Sequence, residues 1–310
     1  MGHAHGQAPH GHVRVTADAD SRRLWTALGL IVGFMAVEVV AGILARSLAL
    51  LSDAAHMLTD AGALALSLVV IRLASRPARG NLTYGLKRAE ILSAQANGLT
   101  LLILGGLIVY EATRRLIDPP EAEGAVVLVV ALAGILVNLL AISQLAKANR
   151  ESLNIEGSYR HVLTDLAAFV ATAVAGAIIL VTGFVRADGI AALVVAAIML
   201  WAAFGLLRDS GRVLLEMAPA GMSISEVGQT IAAHPGVSGV HDLHVWSITS
   251  GFPALSAHVL VHPGADCHAI RRSLEHLLHE QLGIDHTTLQ VEHADAAELL
   301  SISMGPGARE

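Results

Sequence analysis

Cysteine is almost absent from this chain of 310 residues, in which Cys267 is the only one. A single thiol cannot form a disulfide bond within the chain. It also cannot supply the several thiolates that a cysteine-rich zinc site needs. The sequence therefore excludes both kinds of cysteine-based structure.

Charged residues are also scarce. They make up 15% of the chain, while 54% of the residues are hydrophobic and the mean hydropathy is +0.60. In soluble domains about a quarter of the residues are charged. Residues 24–207, where the charges are fewest, therefore cannot form an ordinary soluble core.

An excess of positive charge is lacking as well. The formal net charge is -6, the sequence pI is about 6.2, and no basic stripe occurs. Proteins that bind nucleic acids usually carry a basic patch or stripe. We therefore predict no nucleic-acid partner.

Six long apolar runs fill most of the chain before residue 208, and short polar joints separate them. Each run is close to the roughly 20 residues that a helix needs to cross a bilayer. Continuous runs of this length form helices, because lipid offers the backbone no hydrogen-bond partner. We predict an α-helical membrane bundle with six transmembrane helices, at about 24–45, 48–71, 90–112, 124–146, 158–182 and 188–207.

Lysine and arginine are distributed unevenly between the joints, and this bias predicts the orientation in the membrane. If the N-terminus is inside, the outer joints hold only Arg46, Arg114, Arg115 and Arg186. The cytosolic side then holds Arg14, Arg22, Arg23, Arg72, Arg76, Arg79, Lys87, Arg88, Lys147, Arg150, Arg160, Arg208 and Arg212. We predict an integral protein of a bacterial inner membrane with both termini in the cytosol.

After Arg212 the composition becomes that of a small soluble domain. Apolar spacing and turn residues predict the order α-β-β-α-β, with strands at 240–249, 254–262 and 287–293. We predict a transmembrane domain at 24–207, a cytosolic α+β domain of the metallochaperone type at 213–295, and a loose C-terminal tail at 296–310.

The first twenty residues are polar and contain four histidines, namely His3, His5, His10 and His12. Their composition predicts a disordered tail at residues 1–20. Two interpretations of these histidines stay open: a weak metal-gathering role and an arbitrary solvated segment.

Two copies of the pattern His-x-x-x-Asp lie inside the apolar runs. His56 and Asp60 belong to the second run, and His161 and Asp165 belong to the fifth. A spacing of four on a helix puts each pair on one face, and the two helices should be antiparallel, so the four groups can meet near the middle of the bilayer. Ionisable groups inside a membrane usually mark an ion pathway.

Two imidazoles and two carboxylates are a plausible tetrahedral ligand set for zinc, whereas the lack of thiolates disfavours Cu(I). The pattern therefore predicts a transporter of divalent metal ions. A single buried histidine or aspartate could instead serve helix packing, but two matching pairs in antiparallel helices are poorly explained in that way.

Two other function classes fit the sequence less well. An intramembrane metalloprotease would need a motif such as His-Glu-x-x-His, which does not occur, so we predict no enzyme activity. A membrane-anchored metal sensor would need no ionisable pairs inside its membrane helices.

The chain resembles the cation diffusion facilitators, in particular their zinc-transporting members. The resemblance runs from Leu24 to about Asp295. It is carried by residues 47–60, with Ser-Leu-Ala-Leu-Leu-Ser-Asp-Ala-Ala-His-Met-Leu-Thr-Asp, by residues 84–90 and 156–165, and by Val-His-Asp-Leu-His-Val-Trp at 240–246.

The resemblance implies six spans, a cytosolic metallochaperone-like domain, a homodimer in the lipid bilayer, and efflux of Zn²⁺ in exchange for protons, with no organic cofactor. Members with histidine at the position of His56 look zinc-selective. A cadmium- or cobalt-preferring exporter of the same type stays open as an alternative.

The resemblance also implies a second zinc site in the cytosolic domain. His241 and His258 fall where the family places ligands, and His286 and Glu292 are further candidates. A cluster bridged by thiolates is not expected, because the chain has a single cysteine.

Overall fold

The computed structural model describes residues 11–45, 48–118 and 124–294. Within its helices, the side chains at 11–18, 41, 42, 44, 45, 48–56, 59 and 124–127 are not described. The predicted tail at 296–310, together with His3, His5, His10 and the side chain of His12, lies outside what is described. The chain divides into two compact units, Met1–Gly211 and Arg212–Glu310, called here unit 1 and unit 2.

Unit 1 is built from long helices, as the apolar runs predicted. Among the described residues they are α1 (Gly11–Ala45), α2 (Leu48–Ala74), α3 (Ala89–Ile117), α4 (Gly124–Leu145), α5 (Leu153–Thr182) and α6 (Ala187–Leu214), the last of which ends in unit 2. The shortest has 22 residues, or about 33 Å of helix.

Five of these helices contain stretches that are long and apolar enough to cross a membrane, within the part of the chain that was described. They are Ala19–Val40, Ala89–Ile117, Leu128–Leu145, Leu153–Thr182 and Ala187–Leu214. The sixth long helix is α2, with 27 residues. Large apolar side chains such as Val181 and Trp201 point outwards and are 84% and 79% exposed, as expected for surfaces in contact with lipid.

Small residues let the helices of unit 1 approach closely. A Cβ atom added at Gly98 or Gly105 of α3 would lie 2.9 Å from the side chain of Leu207 or Leu200 of α6. Glycine is therefore required where α3 packs on α6. A separate apolar core, with Leu24, Leu64, Ala141 and Val162 among its members, joins α1, α2, α4 and α5.

Several helix boundaries differ from the predicted spans. The helix α1 begins at Gly11, so residues 11–20, which we predicted to be disordered, are helical. The helix α5 begins at Leu153 rather than 158, because Ser152 caps it by accepting a hydrogen bond from the Ile155 amide. The helix α6 continues to Leu214 rather than 207. Hydropathy marks where lipid contact ends, and a helix can continue beyond that point.

Unit 2 has the predicted order α-β-β-α-β. Its elements after α6 are α7 (Ile224–Ala232), β1 (Val237–Thr249), β2 (Phe252–Val261), α8 (Cys267–Leu282) and β3 (His286–His293). The sheet order is β1-β2-β3, with β1 antiparallel and β3 parallel to β2.

The core of unit 2 lies on one face of this sheet. Leu255, Ala257, Val259 and Val261 alternate along β2 and pack with side chains of α7 and α8. The intervening residues of β2, including His258, face the other side and are partly exposed. The predicted cytosolic ligand residues can therefore meet only on the face that the helices leave open.

Candidate metal centre

Three ionisable side chains meet in the interior of unit 1. Asp60 of α2 and His161 and Asp165 of α5 are buried, with 4%, 1% and 6% of their surface exposed. His161 Nε2 lies 2.8 Å from Asp60 Oδ1 and 4.0 Å from Asp165 Oδ2. One possible ligand atom from each residue lies within 4.8 Å of the others. We call these residues the acidic cluster.

The antiparallel arrangement of α2 and α5 assembles this cluster. Asp60 meets His161, and farther along α2 the Ser67 hydroxyl lies 2.7 Å from that of Ser158, which precedes His161 on α5. The residue numbers on α5 thus fall as those on α2 rise. His161 and Asp165 are one turn apart on α5, so they share a face.

The fourth predicted residue, His56, belongs to α2 one turn before Asp60. Its side chain lies outside the described ones. The structure therefore brings together three of the four residues predicted from the two motifs, and a ligand role for His56 stays a prediction.

The acidic cluster suits a divalent cation chemically. Imidazole nitrogen and carboxylate oxygen are common zinc ligands. Two carboxylates buried among apolar helices repel one another, and a bound divalent cation removes that repulsion. Because the ligands bind metal only when deprotonated, the cluster can exchange a metal ion for protons.

In unit 2 the structure places His241 and His258 opposite one another on β1 and β2. Their ring centroids are 5.1 Å apart. Both lie on the sheet face that the helices leave open, so two imidazoles are available there to bind one metal ion.

Asp242 joins this pair, although the sequence analysis did not select it. Its carboxylate accepts a hydrogen bond of 2.9 Å from His244 Nε2 and lies 3.9 Å from His258 Nε2. That hydrogen bond lowers the pKa of Asp242, and the charges of His244, His258 and His241 lower it further. The backbone of Asp242 has φ +52° at a register shift between His241 and His244.

This irregularity explains why Asp242 escaped notice. In a regular strand, neighbours such as His241 and Asp242 face opposite sides. A bulge adds a residue and redirects its side chain. The one available signal was the presence of an aspartate between two histidines in a short stretch.

The other two predicted cytosolic ligands lie on β3 and are not gathered around His241 and His258. The residue of β3 in register with His258 is Gln290. Glu292 accepts a hydrogen bond from the side chain of Gln290. His286 is in register with Ala254, and its ring lies 6.0 Å from that of Phe252. Four strand residues, or about 13 Å, separate His286 from Gln290.

Comparison with known proteins accounts for nearly the whole chain. Residues 24–215 match the family model of the cation efflux transmembrane domain, and residues 219–294 match that of the cation efflux protein cytoplasmic domain.

Three similar proteins each align with 94% of this chain. The cadmium, cobalt and zinc/H(+)-K(+) antiporter of Bacillus subtilis is 37% identical over 92% of its own length. The metal cation efflux system protein CzcD of Cupriavidus metallidurans is 39% identical over 95% of its length. The zinc transporter ZitB of Escherichia coli is 38% identical over 93% of its length.

One solved structure that is similar to part of this chain is the metal-bound C-terminal domain of the CzcD transporter from Cupriavidus metallidurans. It is 35% identical, with a TM-score of 0.22, and the match covers 23% of this chain and 99% of that domain.

Proposed function

The chain belongs to the cation efflux family, and from this premise we propose that it exports zinc from the cytosol in exchange for protons. It is an integral membrane transporter of divalent metal cations, and it is not an enzyme. The choice of zinc, the proton exchange and the direction of transport belong to the proposal.

The acidic cluster is the observation that carries this proposal. Two carboxylates and an imidazole within 4.8 Å of one another are costly among apolar helices. A divalent ion bound there offsets this cost, and protons that occupy the same ligand atoms compete with it. We assign Asp60, His161 and Asp165 to the transport site, with His56 as its fourth ligand.

In the proposed cycle, a zinc ion from the cytosol displaces protons from the ligand atoms. Movement of the helices then exposes the site to the other side, where protons displace the ion. The cluster is closely spaced, so its groups titrate as a coupled set rather than one by one.

Two points support zinc over the alternative of a cadmium- or cobalt-preferring exporter. As the proposed fourth ligand, His56 would supply a second imidazole, which suits zinc. The similar protein from Escherichia coli is named a zinc transporter. The alternative is favoured by the name of the Bacillus subtilis antiporter, which includes cadmium and cobalt. That name also supports protons as the counter-ion.

We further propose a homodimer in the bacterial inner membrane, with both termini in the cytosol. We also propose a transmembrane domain at 24–207 and a cytosolic domain at 213–295. The second zinc site would be formed by His241 and His258, with His286 and Glu292 as further candidates. The short distance between the His241 and His258 rings supports these two residues as ligands. A zinc ion bound by His286 would need its other ligands from elsewhere.

Purified protein in sealed proteoliposomes tests the transport site. With a pH gradient, zinc should accumulate while protons move the opposite way, and Asp60→Asn and Asp165→Asn should each abolish both fluxes. The matched control is Asp188→Asn. Asp188 is also acidic, but it pairs with Arg115 at 2.8 Å, away from the cluster. Wild-type transport by either cluster variant would refute the site.

A metal panel in the same vesicles tests His56. We expect His56→Asp to broaden the choice of metal towards manganese- or iron-like ions, because a carboxylate is a harder ligand than imidazole. Unchanged selectivity and unchanged zinc transport would contradict a ligand role for His56.

A further inference from the structure

A group of uncharged polar side chains is buried beside the acidic cluster. It consists of Ser67 on α2, Ser93 and Asn97 on α3, and Asn154 and Ser158 on α5, which are at most 3% exposed. We call it the inner polar group. Along each helix it lies between the level of the cluster and the helix end at residue 74, 89 or 153.

Hydrogen bonds place three members of this group between α2 and α5. The Ser67 and Ser158 hydroxyl oxygens are 2.7 Å apart, and Asn154 Nδ2 donates to the Ser67 carbonyl at 3.0 Å. Asn154, Ser158, His161 and Asp165 follow one another along α5 at helical spacing, so they share one face. Polar atoms therefore extend continuously along α5 from its first turn to the cluster.

The members on α3 face the same interior. A Cβ atom added at Gly157 of α5 would lie 3.4 Å from Asn97 Nδ2. Gly157 lies between Asn154 and His161, so Asn97 adds a polar atom at an intermediate level. Ser93 lies one turn before Asn97 on α3, towards the helix end.

Several of these buried atoms lack a hydrogen-bond partner among the residues that the structure describes. They are Ser93 Oγ, Asn97 Nδ2 and Asn154 Oδ1, together with His161 Nδ1 of the cluster. Asn138 of α4 is a useful contrast, because its equally buried amide donates to Gly134 O of its own helix. Buried polar atoms that remain unpaired are costly, and ordered water is the usual partner for such atoms.

We propose that the inner polar group lines a hydrated path by which the metal ion reaches the acidic cluster from the helix ends at residues 74, 89 and 153. The inference rests on the transport function proposed above. Hydroxyl and amide oxygens can replace part of the water around a divalent ion. Because these side chains are uncharged, they bind the ion weakly enough for it to move on.

Thiol labelling tests whether the path is wet. In full-length protein carrying Cys267→Ser, which removes the only native thiol, single cysteines are introduced as Asn97→Cys and Asn154→Cys. The controls are Leu101→Cys and Ile155→Cys, at apolar positions of the same helices that are 0% and 2% exposed. We expect a charged methanethiosulfonate reagent to label the polar positions at least about tenfold faster, because a thiol in a dry apolar site is unreactive.

Zinc should slow labelling at the polar positions only. Equal, slow labelling at polar and control positions would overturn the proposal. The labelling rates are measured without any transport. If the wild-type protein did not transport zinc, that result would count against the proposed function, and the labelling test of the path would still be valid.

A second measurement separates a path from a purely structural role. The near-isosteric change Asn97→Leu should slow zinc transport about tenfold, which corresponds to about 1.4 kcal/mol in the barrier. Its Tm should not fall, because the Nδ2 atom that the change removes has no hydrogen-bond partner among the described residues, and equilibrium zinc binding should be retained. The control Leu101→Met should keep the wild-type rate. A lowered Tm with an unchanged rate per folded protein would show a structural role instead.

Discussion

At the scale of single residues, His161 holds the acidic cluster together. Its Nε2 atom faces Asp60 and Asp165 on two helices, while the Thr164 hydroxyl donates to its carbonyl oxygen at 2.7 Å. In the transport site proposed above, a metal ion and a proton would compete for the same nitrogen lone pair. One imidazole would then couple the occupancy of the site to both ions.

Asp242 allows a prediction at the same scale about pH. Its carboxyl group should titrate below its ordinary pKa of 3.8, and His244→Ala should raise that pKa, because the largest cause of the shift is the hydrogen bond from His244. A pKa that is lower in the folded state stabilises the fold above the unfolded pKa, and this stabilisation is lost as the pH falls through the folded value.

Carboxyl chemical shifts in an NMR titration would measure both pKa values. The variant His262→Ala is the control, since His262 is not among the groups that shift Asp242. An Asp242 pKa that is the same in wild type and His244→Ala would contradict the assignment.

Residue identity was enough to predict part of the two sites. His161, Asp60 and Asp165 could be found from the sequence because helix periodicity is regular, so a spacing of four already fixes a shared face. Asp242 could not, because its side-chain direction depends on a backbone irregularity with φ +52°. The position of His286 relative to His241 and His258 could not be predicted, since the sequence did not reveal the parallel register of β3.

At the scale of elements, helix packing in unit 1 depends on where small residues stand. A Cβ atom added at Gly134 of α4 would lie 2.4 Å from the ring of Phe169 of α5. The Phe169 ring also packs edge-on against Phe34, with centroids 6.5 Å apart, so it has little freedom to move away.

We therefore predict that Gly134→Ala lowers the free energy of unfolding by about 1–3 kcal/mol, the usual cost of overpacking. Gly106→Ala on α3 is the matched control, because an added Cβ there meets nothing within 4 Å. Thermal unfolding in detergent, followed by circular dichroism, measures both. Equal Tm values would show that α4 and α5 separate without cost.

The hydrophobic pattern identified each long element, but it did not give their ends. The early start of α5 depends on the Ser152 cap, and the late end of α6 on polar side chains that find partners within the helix bundle. Ser210 Oγ donates to Leu206 O at 2.7 Å, and Arg160 lies 3.8 Å from Asp209. The contact of Arg160 with Asp209 joins distant residues, and such a contact cannot be deduced from local composition.

At the scale of the whole molecule, the start of the chain is attached to a distant loop. Asp20 is 5% exposed, and its Oδ1 atom accepts a hydrogen bond of 3.1 Å from the Asn149 amide, between α4 and α5. Arg23 reaches the same loop through the carbonyl of Lys147. The beginning of α1 thus contributes to the stability of unit 1.

Two truncations should therefore differ. Removal of residues 1–10 should leave Tm and maximal zinc transport nearly unchanged, because that segment has no apolar stripe to pack. Removal of residues 1–20 should lower the free energy of unfolding by about 1–3 kcal/mol, since it removes the buried Asp20 carboxylate together with its hydrogen bond to the Asn149 amide. The full-length variant Asp20→Ala should reproduce most of that loss, and a wild-type Tm for it would contradict the explanation.

The irregular strand β1 has a consequence for aggregation. Both β1 and β3 are outer strands of the sheet, and regular outer strands can recruit strands from other molecules. The pairing of β1 shifts register at three places, so its free side offers no even row of backbone groups to an incoming chain. The free side of β3, which pairs with β2 without interruption over eight residues, is the more regular of the two outer edges and therefore the one to which an incoming strand would pair more readily.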